Sequence, residues 1–216
     1  MKIFPNELRG VRARIVTAIA GAFALIVFDA AAARAATMHF KVDVDRSTVS
    51  ASVAEPAAFI RGNAIGTFRI IDGAVSVDPA NISGTAKVRV LIDATSYRSD
   101  NASRDRSVTE KSLEADKYPT IGFESNSIVG TVITNPHEGT AIVTGFLTLH
   151  GITKPVALRI DSFKCVVDLP ATQKHVCGAD AVGTFNRADF GITVGQRYGF
   201  KMEVTLHIQV EAIRAE

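Results

Sequence analysis

Residues 201–211 read Lys-Met-Glu-Val-Thr-Leu-His-Ile-Gln-Val-Glu, and this stretch decides the fold class. Apolar side chains occupy every second position from Met202 to Val210, and polar side chains stand between them. A period of two is typical of a β-strand with one apolar face and one wet face, because successive side chains on a strand point to opposite sides. The segment is therefore predicted to be an amphipathic strand.

The same alternation recurs upstream, over residues 88–92, 143–149 and 156–160. Shorter strands are predicted around residues 40–44, 49–53, 66–71, 121–125 and 182–186. Turn-forming residues stand between them at Asp72-Gly73, Asp78-Pro79, residues 136–139 and His150-Gly151. Several short alternating strands separated by turns predict an all-β, antiparallel sandwich or barrel.

One stretch breaks the alternation. Residues 98–117 are polar and rich in Asp, Ser, Arg and Glu. We expect a connection here that contains a short helix around residues 109–115, ended by Tyr118-Pro119 because the residue before a proline is disfavoured in helices. No internal repeat or linker interrupts the rest, so residues 36–216 are predicted to form one domain.

Composition excludes several classes of function. The chain has 216 residues, of which 47% are hydrophobic and 21% charged, and its net charge is +2. These values are those of a globular protein and argue against disorder and against a nucleic-acid partner. The common nucleotide-binding, hydrolase and zinc motifs are absent. We therefore expect no metal and no cofactor, and no catalytic residue can be named.

Residues 1–35 are predicted to be a cleaved signal peptide. Basic residues open the chain, an apolar stretch of 14 residues runs from Ile15 to Phe28, and Ala33-Arg34-Ala35 follows. This order is typical of secretion signals. The alternative is a membrane anchor, but the apolar stretch is shorter than the roughly 20 residues that span a bilayer. Export is therefore expected.

Two cysteines, Cys165 and Cys177, stand in the exported part. An isolated pair in an oxidising compartment is predicted to form a disulfide. The alternative is a metal site built from both thiols and His175, which needs a fourth ligand that the spacing does not supply.

Three motifs indicate a family. Residues 117–125 read Lys-Tyr-Pro-Thr-Ile-Gly-Phe-Glu-Ser, similar to the pattern K-Y-P-x-x-x-F-x-S. Residues 145–156 read Gly-Phe-Leu-Thr-Leu-His-Gly-Ile-Thr-Lys-Pro-Val, similar to G-x-L-T-x-H-G-V-T-K-P-V. Residues 187–192 read Arg-Ala-Asp-Phe-Gly-Ile and match R-x-D-F-G-I. In these motifs and their order the chain resembles the YceI-like family of bacterial periplasmic polyisoprenoid-binding proteins.

The resemblance implies an extended, eight-stranded, antiparallel, lipocalin-like barrel that holds an amphiphile with a long isoprenoid tail. Two features depart from the family pattern. Residues 54–61 contain no histidine before Gly66-Thr67-Phe68, and Leu113-Glu114-Ala115 replaces the paired aromatic residues that precede K-Y-P.

An eight-stranded barrel is either filled by its own side chains or holds one ligand. Gly145 and Gly183 fall on inward faces, where they indicate a partly open lumen; alternatively, they mark bulges or bends. The residues expected to line a tunnel, or to be plain core residues, are Phe68, Ile70, Val88, Val90, Ile92, Phe123, Val143, Leu147, Phe185, Met202, Val204 and Leu206.

Polar residues near the motifs are candidates for contact with a head group. These are Arg104 and Arg106 in the polar connection, and His150, for which a hydrogen-bonding role in its turn is the stronger expectation. Arg187 and Asp189 are expected to pair with each other or with the 98–106 loop.

Three functional hypotheses follow. The first is non-enzymatic binding, carriage or sequestration of a polyprenyl phosphate or isoprenoid quinone, with transient membrane contact compatible with it. The second is a filled barrel that partners an exported or membrane redox protein. The third is an enzyme acting on a lipid or quinone, which needs a buried titratable group facing the lumen.

Overall fold

The computed structural model describes residues 37–54, 63–78, 81–135, 138–167 and 174–215. The predicted signal peptide, most of residues 54–61, Pro79 and Pro136-His137 lie outside the described residues. The described β-strands are β1 (Met38–Val42), β2 (Thr48–Ala54), β3 (Asn63–Val77), β4 (Lys87–Arg98), β5 (Thr120–Asn135), β6 (Glu138–Leu149), β7 (Ile152–Val167), β8 (His175–Asn186) and β9 (Glu203–Arg214).

The strands close into an antiparallel barrel. Strands β3 to β9 pair in chain order except that β2 stands between β3 and β9. β1 pairs with the same two neighbours as β2, further along their length: Phe40 lies opposite Val75 and Arg214, whereas Val49 lies opposite Phe68 and Ile208. β1 and β2 thus share one strand position in the barrel wall, so nine strands form an eight-stranded barrel. The predicted eight-stranded all-β fold is confirmed.

The predicted helix between β4 and β5 is present, but it begins earlier than expected. It comprises α2 (Ala102–Ser107), continued by a π-helical turn (Val108–Ser112); α1 (Ile82–Thr85) is a single turn before β4. The side chain of Asn101 determines the start, because its Oδ1 accepts hydrogen bonds from the backbone N–H groups of Ser103 and Arg104, each at 3.0 Å. Asparagine is among the preferred helix-capping residues.

The prediction of a turn at Asp72-Gly73 is wrong, because β3 continues through both residues. A register shift between Ile70 and Asp72 marks a bulge here. A Cβ atom at Gly73 would lie 2.6 Å from Cγ2 of Val42, so the glycine permits the close approach of β1. Glycine within a strand commonly has this role.

Several strands are longer than their sequence pattern indicates. The predicted segment 121–125 is the first part of the 16-residue β5, and 182–186 is the last part of β8. Register shifts, as between Ser125 and Ser127, interrupt the period of two without ending the strand. Among the described residues, no helix is long and apolar enough to cross a membrane.

Antiparallel pairing gives the barrel two different ends. The end of the barrel that carries residues 99–119, the 150–151 turn and residues 187–202 is here called the loop end. The opposite end, here the terminal end, carries Asp78 and residues 81–86 together with Met38, His175 and Arg214.

Candidate ligand cavity

A cavity of about 970 Å³ runs through the barrel. Leu113 and Ile192 line it at the loop end, and Met38 and Cys165 line it at the terminal end. Its wall is mostly aliphatic and aromatic. Natural sites for drug-sized ligands have volumes of about 300–1,000 Å³, so the space suits a sizeable apolar molecule.

The side chains that line the cavity are covered to different degrees. Val143 and Leu147 on β6 are buried at 3% and 6% exposure. Leu206, Ile208 and Val210 on β9 also line the cavity but remain only partly buried. Aliphatic side chains that point inward and are still not covered indicate that no opposing side chain fills the space beside them.

Ten of the twelve residues predicted to line a tunnel do line the cavity: Phe68, Val88, Val90, Ile92, Phe123, Val143, Leu147, Phe185, Val204 and Leu206. The structure places the other two elsewhere. Ile70 is completely buried in the packed core, and Met202 lies before the start of β9, outside the lining. Contact of the ten with a ligand stays a prediction.

The two inward-facing glycines do not create the open space. A Cβ atom at Gly145 would lie 2.7 Å from Cζ of Phe123, and one at Gly183 would lie 2.5 Å from Cδ2 of Leu158. Gly145 therefore permits the close approach of the Glu124 backbone and the Phe123 ring, and Gly183 permits that of the Leu158 side chain. Small alanines contribute to the lining instead, among them Ala51 on β2 and Ala181 on β8. Ala51 stands between Ser50 and Ser52, and this alternation with polar residues is the sequence signal for its inward position.

The head-group candidates occupy three different environments at the loop end. Arg104 lines the cavity, and its Nη1 donates to Oδ1 of Asp100 at 3.0 Å. Arg106 is exposed and lies outside the lining. His150 also lies outside the lining, in a turn where its φ is 52°.

The ring of His150 connects two segments that cover the loop end. Its Nδ1 is 3.1 Å from the carbonyl oxygen of Phe190, and its Nε2 is 2.6 Å from Oε2 of Glu114. The ring of Tyr118 packs against it with a centroid distance of 4.7 Å. The stronger expectation, a hydrogen bond to the backbone of its own turn, is wrong in its partner: the ring bonds to Phe190 and Glu114, which are far from the turn along the chain.

Similarity to known proteins agrees with the barrel fold. The sequence model of the YceI-like domain matches residues 40–212. The chain belongs to the YceI-like domain family. A UPF0312 protein of Vibrio cholerae is 32% identical over 150 residues, which are 69% of this chain and 74% of that protein.

Two solved structures share the fold of this YceI-like domain. BcnA of Burkholderia cenocepacia has a TM-score of 0.63 at 21% identity, over 79% of this chain and 98% of that one. A polyisoprenoid-binding domain from Saccharophagus degradans has a TM-score of 0.56 at 13% identity, over 82% and 98%. At these identities the likeness concerns the fold.

The YceI-like domain carries a disulfide in its wall. Cys165 on β7 lies directly opposite Cys177 on β8, and the two sulfur atoms are bonded. Both residues line the cavity at the terminal end. The predicted disulfide is confirmed, and the alternative metal site with His175 is wrong because both thiols are consumed by the bond.

Sequence reasoning missed Tyr97, which also lines the cavity of this YceI-like domain. A wide bulge in β4 turns the Tyr97 ring inward, 5% exposed and 5.1 Å from the ring of Phe68. Gly66 leaves room for it, since any Cβ there would collide with the tyrosine ring. Bulges commonly redirect a side chain in this way.

The bulge is held by the side chain of Asp93. Its Oδ1 accepts from the backbone N–H and the hydroxyl of Thr95, at 2.9 and 2.6 Å, and its Oδ2 accepts from Arg69 at 2.8 Å. The Thr95 hydroxyl is the largest influence on the pKa of Asp93, which lies below its ordinary value. Hydrogen bonds to a carboxylate stabilise its charged form.

Proposed function

We propose that this protein binds a long-chain isoprenoid amphiphile, a polyprenyl phosphate or an isoprenoid quinone, and carries or sequesters it without chemical change. The observation that carries the proposal is the continuous apolar cavity of about 970 Å³ that reaches both ends of the barrel. A filled barrel acting as an interaction module would need a packed interior, which the cavity contradicts.

Apolar burial supplies the driving force. Each methylene-sized group that leaves water contributes about 0.8 kcal/mol, so an isoprenoid tail has a large gross gain. Association and ordering costs remove part of it. The polyisoprenoid-binding domain of Saccharophagus degradans, which shares the fold, supports the choice of this ligand class.

We also propose that the protein acts after export, in the periplasm, and loads its ligand during transient contact with a membrane. The basic and apolar features of residues 1–35 and the Cys165–Cys177 disulfide support export. Val194 and Tyr198 support membrane contact, because they border the cavity at the loop end and are 42% and 57% exposed.

The test is mass spectrometry of organic extracts from the exported protein, followed by binding of added isoprenoid quinone to solvent-stripped protein. We expect an isoprenoid to copurify. The variant Ala181→Phe, which places a ring inside the cavity, should copurify with much less, and serves as the matched control. Repeated absence of any isoprenoid, together with no binding of added quinone, would overturn the proposal.

A further inference from the structure

The polar side chains that line the cavity are unevenly distributed. The loop end contributes two arginines, Arg104 and Arg187, together with hydroxyl groups from α2 and the turn that follows it, such as Ser103 and Ser107. The terminal end contributes His175 and Arg214. Among the described residues that line the cavity, none is an aspartate or a glutamate. The loop end therefore combines hydrogen-bond donors with positive charge.

Arg187 is the most unusual of these residues. It follows β8 at the start of a 3-10 turn, where its backbone N–H donates to the carbonyl oxygen of Met202 at 2.8 Å. Its side chain is half-buried beside the cavity. Burial lowers the pKa of the guanidinium, because removing water from a cation destabilises its charged form.

The guanidinium has little compensation from the described part of the protein. Its one hydrogen bond there runs from Nε to the carbonyl oxygen of Lys201, at 3.3 Å. The expected pairing with Asp189 is wrong: no ion pair joins the two, and Asp189 is exposed. Two other carboxylates at this end are engaged elsewhere, Asp100 with Arg104 and Glu114 with His150.

A partly desolvated cation without a carboxylate partner is costly, and an anion seated beside it would remove that cost. Arginine donates through a planar fork that matches phosphate oxygens, and hydrogen bonds between two charged groups are about twice as strong as neutral ones. A quinone head is neutral, so it would accept hydrogen bonds without neutralising the charge. The arrangement therefore favours a phosphorylated head.

We infer that the loop end of the cavity is an anion-binding site in which Arg187 holds the phosphate head of a polyprenyl phosphate, while the tail extends toward the terminal end. This inference rests on the proposed function, because it assigns the direction and the head group of the same ligand. Arg104 lines the same end and adds positive charge to it.

The experiment compares two ligands that share one tail and differ only in the head group: geranylgeranyl phosphate and geranylgeraniol. Affinities for solvent-stripped protein are measured by native mass spectrometry and by displacement of a fluorescent fatty-chain probe. We expect the phosphate to bind at least about tenfold more tightly than the alcohol. Arg187→Gln should reduce this ratio to near one, because the phosphate loses a charge-assisted contact whereas the alcohol loses at most a neutral hydrogen bond.

Two further variants provide controls. Arg187→Lys keeps the charge without the fork, so it should retain part of the preference and tests the site if the glutamine variant folds poorly. Arg214→Gln removes a cation that lines the cavity at the terminal end, and it should retain the full preference. Inorganic phosphate in the same concentration range should not displace geranylgeranyl phosphate, because it lacks the tail.

Each outcome bears on a separate statement. A phosphate preference that survives in folded Arg187→Gln overturns the inference, and so does equal affinity of the native protein for the two ligands, while the proposed function stands. An equal loss of alcohol binding in Arg187→Gln shows general damage and also overturns it. Displacement by inorganic phosphate assigns the site to free phosphate. Binding of neither ligand to the native protein defeats the proposed function itself.

Discussion

Replacing Ala181 by phenylalanine should fill empty space rather than crowd the core. Ala181 lies on β8 between Ile160 and Ile208, lines the cavity and is only partly buried. An apolar cavity of about 150 Å³ accommodates benzene, so a cavity of about 970 Å³ has room for a phenyl ring. Burying the ring should stabilise the fold by up to about 2 kcal/mol.

Ala94→Phe is the matched control, since Ala94 is 1% exposed and lies outside the cavity lining. Overpacking at such a site costs about 1–3 kcal/mol. The two variants should therefore differ by roughly 3 kcal/mol in the free energy of unfolding, with Ala181→Phe the more stable.

Urea denaturation followed by circular dichroism measures the difference, with an unchanged m-value as the check that both variants unfold as the native protein does. The same preparation of Ala181→Phe should show reduced binding of isoprenoid quinone. Equal destabilisation of the two variants would show that the space beside Ala181 is filled, and the reasoning from the cavity would fail.

Three further outcomes follow from the structure. Replacing Cys165 and Cys177 together by serine should lower the free energy of unfolding by about 2–4 kcal/mol in denaturant titrations, and an unchanged midpoint would contradict a structural role for the bond. His150→Ala should lower the free energy of unfolding by about 1–3 kcal/mol and increase amide hydrogen exchange in residues 108–114 and 187–192. An increase confined to the 150–151 turn would contradict the connecting role of His150. Asp93→Asn should lower the free energy of unfolding by up to about 1 kcal/mol at neutral pH, a value discounted for solvent exposure. The pKa of Asp93 is lowered in the folded protein. The stabilisation by this carboxylate is therefore present above the ordinary carboxyl pKa and is lost as the pH falls through the folded pKa. The two proteins should then converge in stability in strong acid, and a constant difference across pH would contradict this assignment.

The fold could be predicted from the sequence because alternation directly reports a strand with one buried face. From Glu203 to Val210 the sequence keeps that period without interruption, and these residues lie in β9. Prediction failed where the ladder is irregular. Asp72-Gly73 has the composition of a turn, yet it lies inside β3, because the bulge beside it is stabilised by pairing with β1 and β4, which the local sequence does not contain.

The candidate site was predictable only in its apolar part. An inward position is apolar whether its neighbour across the barrel is a side chain or empty space, so the pattern found ten lining residues without showing that a cavity exists. Gly145 illustrates the difficulty, since the carbonyl oxygen of Glu124 and the ring of Phe123 occupy the space that a side chain there would take.

The amino-acid sequence by itself determined the all-β class, the disulfide pair and the family, because each depends on local period, residue type or linear motif. Only the tertiary structure decided that the lumen is open and that Arg187 borders it without a carboxylate partner among the described residues. The reason is physical: empty volume and the pairing of a charge depend on distances between residues far apart in the chain, and those distances are set when the barrel closes.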